Sequence, residues 1–274
     1  MSDDSRAGVA GAVTWLFVPG DRPERFAKAA ATGADAVILD LEDAVAVQAK
    51  DQARSLITAW LTHGDNRGWV RINAADTPWY DADLAALRST RGLAGVVVPK
   101  AEDPAVLGTL RDRLGASIGV LALVETALGM YRAVELARAA DRLAFGSIDY
   151  AVDLGAEHTP TALFHARSTL VLASRVAGIE GPVDGVTTAL RDEELLAEDV
   201  AAARDLGFTG KLLIHPSQVA SVARGFAPTP GEVDWALRVT AAVEPGGSGA
   251  VSLDGAMVDK PVVDRARRIL DRRR

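Results

Sequence analysis

The chain of 274 residues contains no cysteine. That excludes disulfides, thiolate metal sites and a cysteine nucleophile, and it fits a reducing compartment. No apolar run reaches the roughly 18 residues of a transmembrane candidate. The first residues, Met1-Ser2-Asp3-Asp4-Ser5, are acidic and polar, so no secretory signal is expected. A cytoplasmic location is the expectation. No Gly-x-Gly-x-x-Gly follows the first apolar strand, which weighs against a Rossmann site. No serine stands in a Gly-x-Ser-x-Gly elbow, so a hydrolase triad is not indicated. An excess of basic charge is also missing. The formal net charge is −7, and nothing points to a nucleic-acid partner. The arginines near the C-terminus fit a solvated last helix turn.

What is present is a series of short apolar strands, several ending on a charged residue. Ala36-Val37-Ile38-Leu39 runs into Asp40, Trp69-Val70 into Arg71, and Val96-Val97-Val98 towards Lys100. Val120 to Val124 runs into Glu125, Leu143 to Gly146 towards Asp149, and Leu212-Leu213-Ile214 into His215. Strands are expected at 15–18, 36–40, 69–73, 95–99, 118–124, 142–146, near 182–184 and at 211–214. Helical periodicity fills the gaps between them. Eight alternating βα units within about 215 residues favour a closed (β/α)8 TIM barrel over an open doubly wound sheet. Residues 1–12 read as a loose tail.

The barrel is complete by residue 227. Residues 228–274 form a C-terminal helical arm, with a hinge signal at Gly246-Gly247-Ser248-Gly249. An appendage that does not help to close the barrel is expected to pack on a neighbouring subunit.

Polar groups at the ends of parallel strands share one rim, where barrels do their chemistry. Glu125 and Asp149 lie one βα unit apart, at the ends of adjacent strands. Two carboxylates with no sulfur or imidazole nearby suit Mg²⁺, which keeps waters and takes substrate oxygens. The alternative is that both simply cap the helices that follow. Arg71 and Asn73 share a strand face by alternation. Arg71 is either a clamp for an anionic substrate or a structural partner of Asp40 or Glu42. Arg22, Arg25, Lys28 and Lys100 are a basic rim for phosphates or exposed helix charges. His215 is a general base or a fixed residue of the Pro216 turn.

In order along the chain stand Phe17-Val18-Pro19-Gly20-Asp21-Arg22-Pro23, Leu39-Asp40-Leu41-Glu42-Asp43-Ala44-Val45, Arg71-Ile72-Asn73 and Val98-Pro99-Lys100. They are followed by Val124-Glu125-Thr126-Ala127, Phe145-Gly146-Ser147-Ile148-Asp149, Gly207-Phe208-Thr209-Gly210-Lys211 and Ile214-His215-Pro216-Ser217-Gln218. This set resembles the citrate lyase β-subunit-like (CitE-like) branch of the HpcH/HpaI aldolase family, which includes malyl-CoA and citramalyl-CoA lyases.

The resemblance implies a trimeric or hexameric barrel that breaks or makes a carbon–carbon bond beside a coenzyme A thioester. It implies Mg²⁺ on Glu125 and Asp149, chelated by a 2-oxoacid such as pyruvate or glyoxylate, with Arg71 binding substrate. Arg25 and Lys28 fall where the phosphates of coenzyme A are bound, and Lys100 and His215 line its channel. Asp259, delivered by the arm of a neighbouring subunit, is the implied acid/base. Ile148 departs from the pattern, since the family commonly has an acidic residue directly before the metal Asp. Two alternatives remain beside the acyl-CoA lyase. One is the β subunit of a citrate lyase complex that acts on a citryl-acyl-carrier protein. The other is a catalytically idle barrel.

Overall fold

In a computed structural model, residues 4–242, 251–253 and 256–273 are described. Contacts cluster into two compact units, Met1–Val222 and Ala223–Arg274. The first is a closed barrel of eight strands in sequence order, every neighbouring pair parallel. The strands are β1 (Thr14–Pro19), β2 (Ala36–Asp40), β3 (Gly68–Arg71), β4 (Leu93–Val98), β5 (Gly119–Val124), β6 (Arg142–Phe145), β7 (Val183–Asp184) and β8 (Gly210–Leu213). The expected (β/α)8 barrel is therefore present. Most strands are buried on both faces, which is why they read as continuous apolar runs and not as alternating ones.

The helices are α1 (Asp4–Gly11), α2 (Phe26–Ala30), α3 (Lys50–Thr62), α4 (Tyr80–Leu87), α5 (Pro104–Leu114), α6 (Ala127–Tyr131) and α7 (Ala133–Ala139). They continue with α8 (Ser147–Leu154), α9 (Pro160–Ala177), α10 (Glu193–Leu206) and α11 (Gln218–Phe226). Local chemistry sets many of their ends. Thr159 and Asp192 cap the starts of α9 and α10, and left-handed Gly178 and Gly207 close them.

Two elements differ from expectation. The N-terminal segment is not a loose tail: it forms α1, and Val9 is buried in the barrel's own cluster. The guanidinium of buried Arg142 donates to the carbonyls of Val9, Ala12 and Gly181 and to Thr209 Oγ1. These bonds tie α1 to the barrel floor, and no sequence period announces them. The second is α8, an extra helix directly after β6.

Inside the barrel, Trp15 and Trp69 meet edge to face with centroids 5.0 Å apart. A Cβ on Gly95 or Gly119 would lie 2.3 or 2.4 Å from the Trp69 ring, so both glycines make space for the indole. Leu121, Leu123, Ala144, Val183 and Leu212 belong to the same cluster. The interior is thus packed below the rim.

The second unit holds α12 (Pro230–Ala242), the antiparallel strands β9 (Val251–Leu253) and β10 (Ala256–Val258), and α13 (Lys260–Asp271). Ala236, Val239, Val258, Val263 and Ala266 form its small core. The glycine run at 246–249 lies outside the described residues. Among the described residues, no helix is long and apolar enough to cross a membrane.

Candidate active site

Strand register places the site's charges. Asp40 pairs with Arg71 across β2 and β3, with Pro19 on its other side in β1. All three stand at C-terminal strand ends. Arg71 Nε and Nη2 donate to the two carboxylate oxygens of Asp40 at 2.7 and 2.6 Å, a bidentate pair. Its guanidinium also stacks 4.8 Å above the Phe17 ring. Nη1 lies 3.0 Å from Glu42 Oε2, without the alignment of a hydrogen bond. Burial alone would lower the Arg71 pKa. Asp40 and Glu42 outweigh it and push it up, so the cation is permanent.

Asp40 has a second task. Its oxygens accept from the amides of Glu42 and Ala44 at 2.9 and 3.2 Å. From the other side, buried Lys50 on α3 donates to the carbonyls of Leu41 and Glu42 at 2.7 and 2.8 Å. The loop after β2 is therefore pinned, and Glu42 is held between Arg71 and Lys100, whose Nζ is 3.6 Å away. Burial pushes the Glu42 carboxyl up to about 7, against Arg71 and with help from Asp43 and Asp40.

Glu125 follows β5 and is only 2% exposed. It does not cap the next helix; Thr126 does, accepting from the amide of Gly129. Glu125 Oε1 instead accepts the Lys100 amide at 2.7 Å. Lys100 holds that amide in place with a left-handed backbone, φ 46°, an uncommon conformation for a residue with a side chain. Oε2 packs over Gly146, where a Cβ would sit 2.4 Å from it. Burial pushes the Glu125 carboxyl up to about 8, opposed by the Lys100 amide and Arg71 and reinforced by Glu42 and Asp149.

Asp149 is not at a strand end: β6 stops at Phe145, and Asp149 is exposed in the first turn of α8. Gly146 occupies the cap position, so Asp149 is no cap either. Asp40, Arg71, Glu125 and Asp149 line one cavity of about 270 Å³ with Phe17, Leu123, Phe145, Ser147 and Ile148. Among the described residues no group of three or more His, Cys, Asp or Glu could hold a metal. The available set is therefore two carboxylates, Glu125 and Asp149, with Oε2 of Glu125 left to the cavity. An oxygen-seeking cation that keeps waters and takes substrate oxygens fits such a set.

The remaining expected residues of the barrel unit do not line this cavity. Asn73 is past the end of β3 and bonds Asp83 of α4 through its amide and Nδ2. Arg25 and Lys28 are exposed, on the turn after β1 and on α2. The Lys100 side chain is half exposed. His215 is exposed, and its Nδ1 accepts the Ser217 amide at 3.2 Å, which fixes the ring beside Pro216. In the second unit, Asp259 caps α13 by accepting from the Val262 amide.

Comparison with known proteins places this geometry. Residues 14–216 match the HpcH/HpaI aldolase/citrate lyase family. The chain belongs to this family. It is 38% identical to citrate lyase subunit beta of Leuconostoc mesenteroides subsp. cremoris, covering 94% of this chain and 91% of that one. It is 37% identical to a (3S)-malyl-CoA thioesterase of Cereibacter sphaeroides, covering 93% and 92%. Among solved structures it resembles protein CitE of Mycobacterium tuberculosis, in complex with magnesium, acetoacetate and coenzyme A. That likeness has a TM-score of 0.82 and 39% identity over 95% of this chain and 98% of the other. The resemblance read from the ordered motifs is borne out. Within this HpcH/HpaI barrel, Phe17 and Gly146 stood in the ordered motifs without a role of their own, and Lys50 was not noticed at all. Strand alternation from Trp15 would have put Phe17 inside. Gly146 and Lys50 act through packing and backbone carbonyls, which leave no local signal.

Proposed function

We propose that the chain is a Mg²⁺-dependent carbon–carbon lyase. It cleaves, or in reverse forms, a 3-hydroxyacyl-CoA such as citramalyl-CoA or malyl-CoA, giving acetyl-CoA plus pyruvate or glyoxylate. The observation that carries this is Glu125: a carboxylate held in a buried cavity, one oxygen fixed by the Lys100 amide and the other free, beside Asp149 and a permanent cation at Arg71. The magnesium and coenzyme A in the Mycobacterium tuberculosis CitE structure support the same cofactors here.

Glu125 and Asp149 would hold the metal, which would supply Lewis-acid stabilisation of oxygen charge. Arg71 keeps N–H groups beyond those taken by Asp40, and these bind the carboxylate of the 2-oxoacid portion. Asp40 and Phe17 fix the guanidinium in advance, so no reorganisation is needed as charge develops. Arg25, Lys28, Lys100 and His215 bind the coenzyme A portion. Asp259 comes from a neighbouring copy in a homotrimer or hexamer and moves the proton at the thioester's α-carbon. The cytoplasm is the proposed location, where acyl-CoA substrates and magnesium are supplied together.

A second reading is favoured by the likeness to citrate lyase subunit beta: action on a citryl thioester carried by an acyl carrier protein. Purified chain with MgCl₂ is expected to release acetyl-CoA from citramalyl-CoA or malyl-CoA, followed by chromatography. No release from either, together with cleavage of citryl-acyl-carrier protein, would decide for the second.

A further inference from the structure

Glu125 and Asp149 are held in different ways. Glu125 is buried, and its Oε1 accepts the Lys100 amide. Asp149 is exposed, and among the described residues no hydrogen bond or ion pair holds its carboxylate. The two like charges repel, and Asp149 helps to push the Glu125 carboxyl up. What keeps Asp149 beside Glu125 is therefore the backbone of the first turn of α8, which starts from Gly146 against Glu125 Oε2. That turn is fixed from outside its own helix. Ser147 opens α8 and is 2% exposed. A serine hydroxyl at such a place ordinarily bonds a nearby backbone group. Here Oγ lies 3.0 Å from Nε2 of His158, on the exposed loop between α8 and α9. A Cβ on Gly185 would sit 2.3 Å from the same Oγ, so the loop after β7 closes another side. That loop is held in turn, because buried Lys211 donates to the Gly185 carbonyl at 2.7 Å and pairs with Asp184 at 3.3 Å. The hydroxyl is set between the Gly185 backbone and the imidazole.

We infer that His158 is a positioning residue for the metal carboxylates: through Ser147 it holds the first turn of α8, and with it Asp149, in place to share a cation with Glu125. This rests on the magnesium-dependent function proposed above and extends it to a residue that does not line the cavity. The effect lies in the order of the turn before the cation arrives. A free turn lets Asp149 swing away from Glu125 under their repulsion, and cation binding must then supply the ordering. Groups that orient a ligating side chain from behind act on metal affinity in this way. The bond forms in either tautomer, since Ser147 Oγ donates to a bare Nε2 or accepts from Nε2–H. A glutamine at 158 places an amide near the position of Nε2 and keeps the bond, whereas an alanine loses it.

Calorimetric titration of the full chain with MgCl₂, without substrate, tests this. His158→Ala is expected to weaken magnesium binding about tenfold, and His158→Gln to restore most of that loss. Ser147→Ala should weaken it by a similar factor. The double variant Ser147→Ala/His158→Ala should be no worse than either single one, because both remove the same bond. Urea denaturation without magnesium reports any loss of fold separately. His158 is exposed, so its two variants keep the comparison intact if Ser147→Ala fails to fold. A merely structural His158 would lower the stability of the alanine variant and leave its magnesium affinity unchanged, and that result would overturn the inference. Additive losses in the double variant would overturn it as well. If the native chain takes up no magnesium, the metal-dependent function falls, and this inference with it. If native and His158→Ala chains bind magnesium alike, only the inference falls.

Discussion

Glu125→Gln separates the cost of the site from its use. The substitution keeps the shape and lets Oε1 still accept the Lys100 amide. It removes a carboxyl whose pKa burial raises from 4.5 to about 8. A raised carboxyl pKa means that the folded state holds the proton more tightly than the unfolded chain does. The associated stability is complete below pH 4.5 and is lost as pH rises through about 8. A tenfold difference in proton affinity between the two states is worth about 1.4 kcal/mol, so between pH 6 and pH 8 the native protein loses about 2 kcal/mol through this residue alone. Glu42 titrates in both proteins and cancels to first order. Urea denaturation at both pH values, without magnesium, should give the variant the flatter profile and the greater stability at pH 8. Magnesium at about 100 times its Kd should then stabilise the native protein by about 2.7 kcal/mol and leave the variant unchanged. Parallel pH profiles for the two proteins would refute the buried, proton-holding Glu125. An equal response to magnesium would refute its role as a ligand.

Gly146→Ala places a Cβ 2.4 Å from Glu125 Oε2. It should cost about 1–3 kcal/mol of stability and weaken magnesium binding; unchanged calorimetry would mean that Glu125 is not held against Gly146. Asp40→Asn breaks the buried bidentate pair with Arg71. It is expected to destabilise by about 3–5 kcal/mol in chemical denaturation, since it leaves Arg71 with a buried, poorly compensated charge. Asp259→Asn should keep the melting temperature, because Asn caps a helix about as well as Asp. It should also spare 2-oxoacid binding while stopping turnover, and an unchanged rate would remove Asp259 from the proton transfer.

The barrel was legible because its determinants are local. Each strand is a short apolar run, several helices carry their own caps, and alternation leaves few topologies. The site was half legible for the same reason. Asp40, Arg71 and Glu125 stand where strands end, and register alone brings Asp40 against Arg71. What escaped depends on contacts distant in sequence. The segment 4–11 has too little apolar periodicity to announce a helix, and Arg142 secures it from residues far along the chain. Asp149 looked like a strand end because the apolar run Leu143-Ala144-Phe145-Gly146 stops just before it. The chain in fact turns into α8 there, which carries Asp149 and Ile148 on one first turn. That turn matters more than a strand end would. It puts a carboxylate and an aliphatic side chain side by side on the rim, so the polar and apolar halves of the cavity meet at adjacent residues.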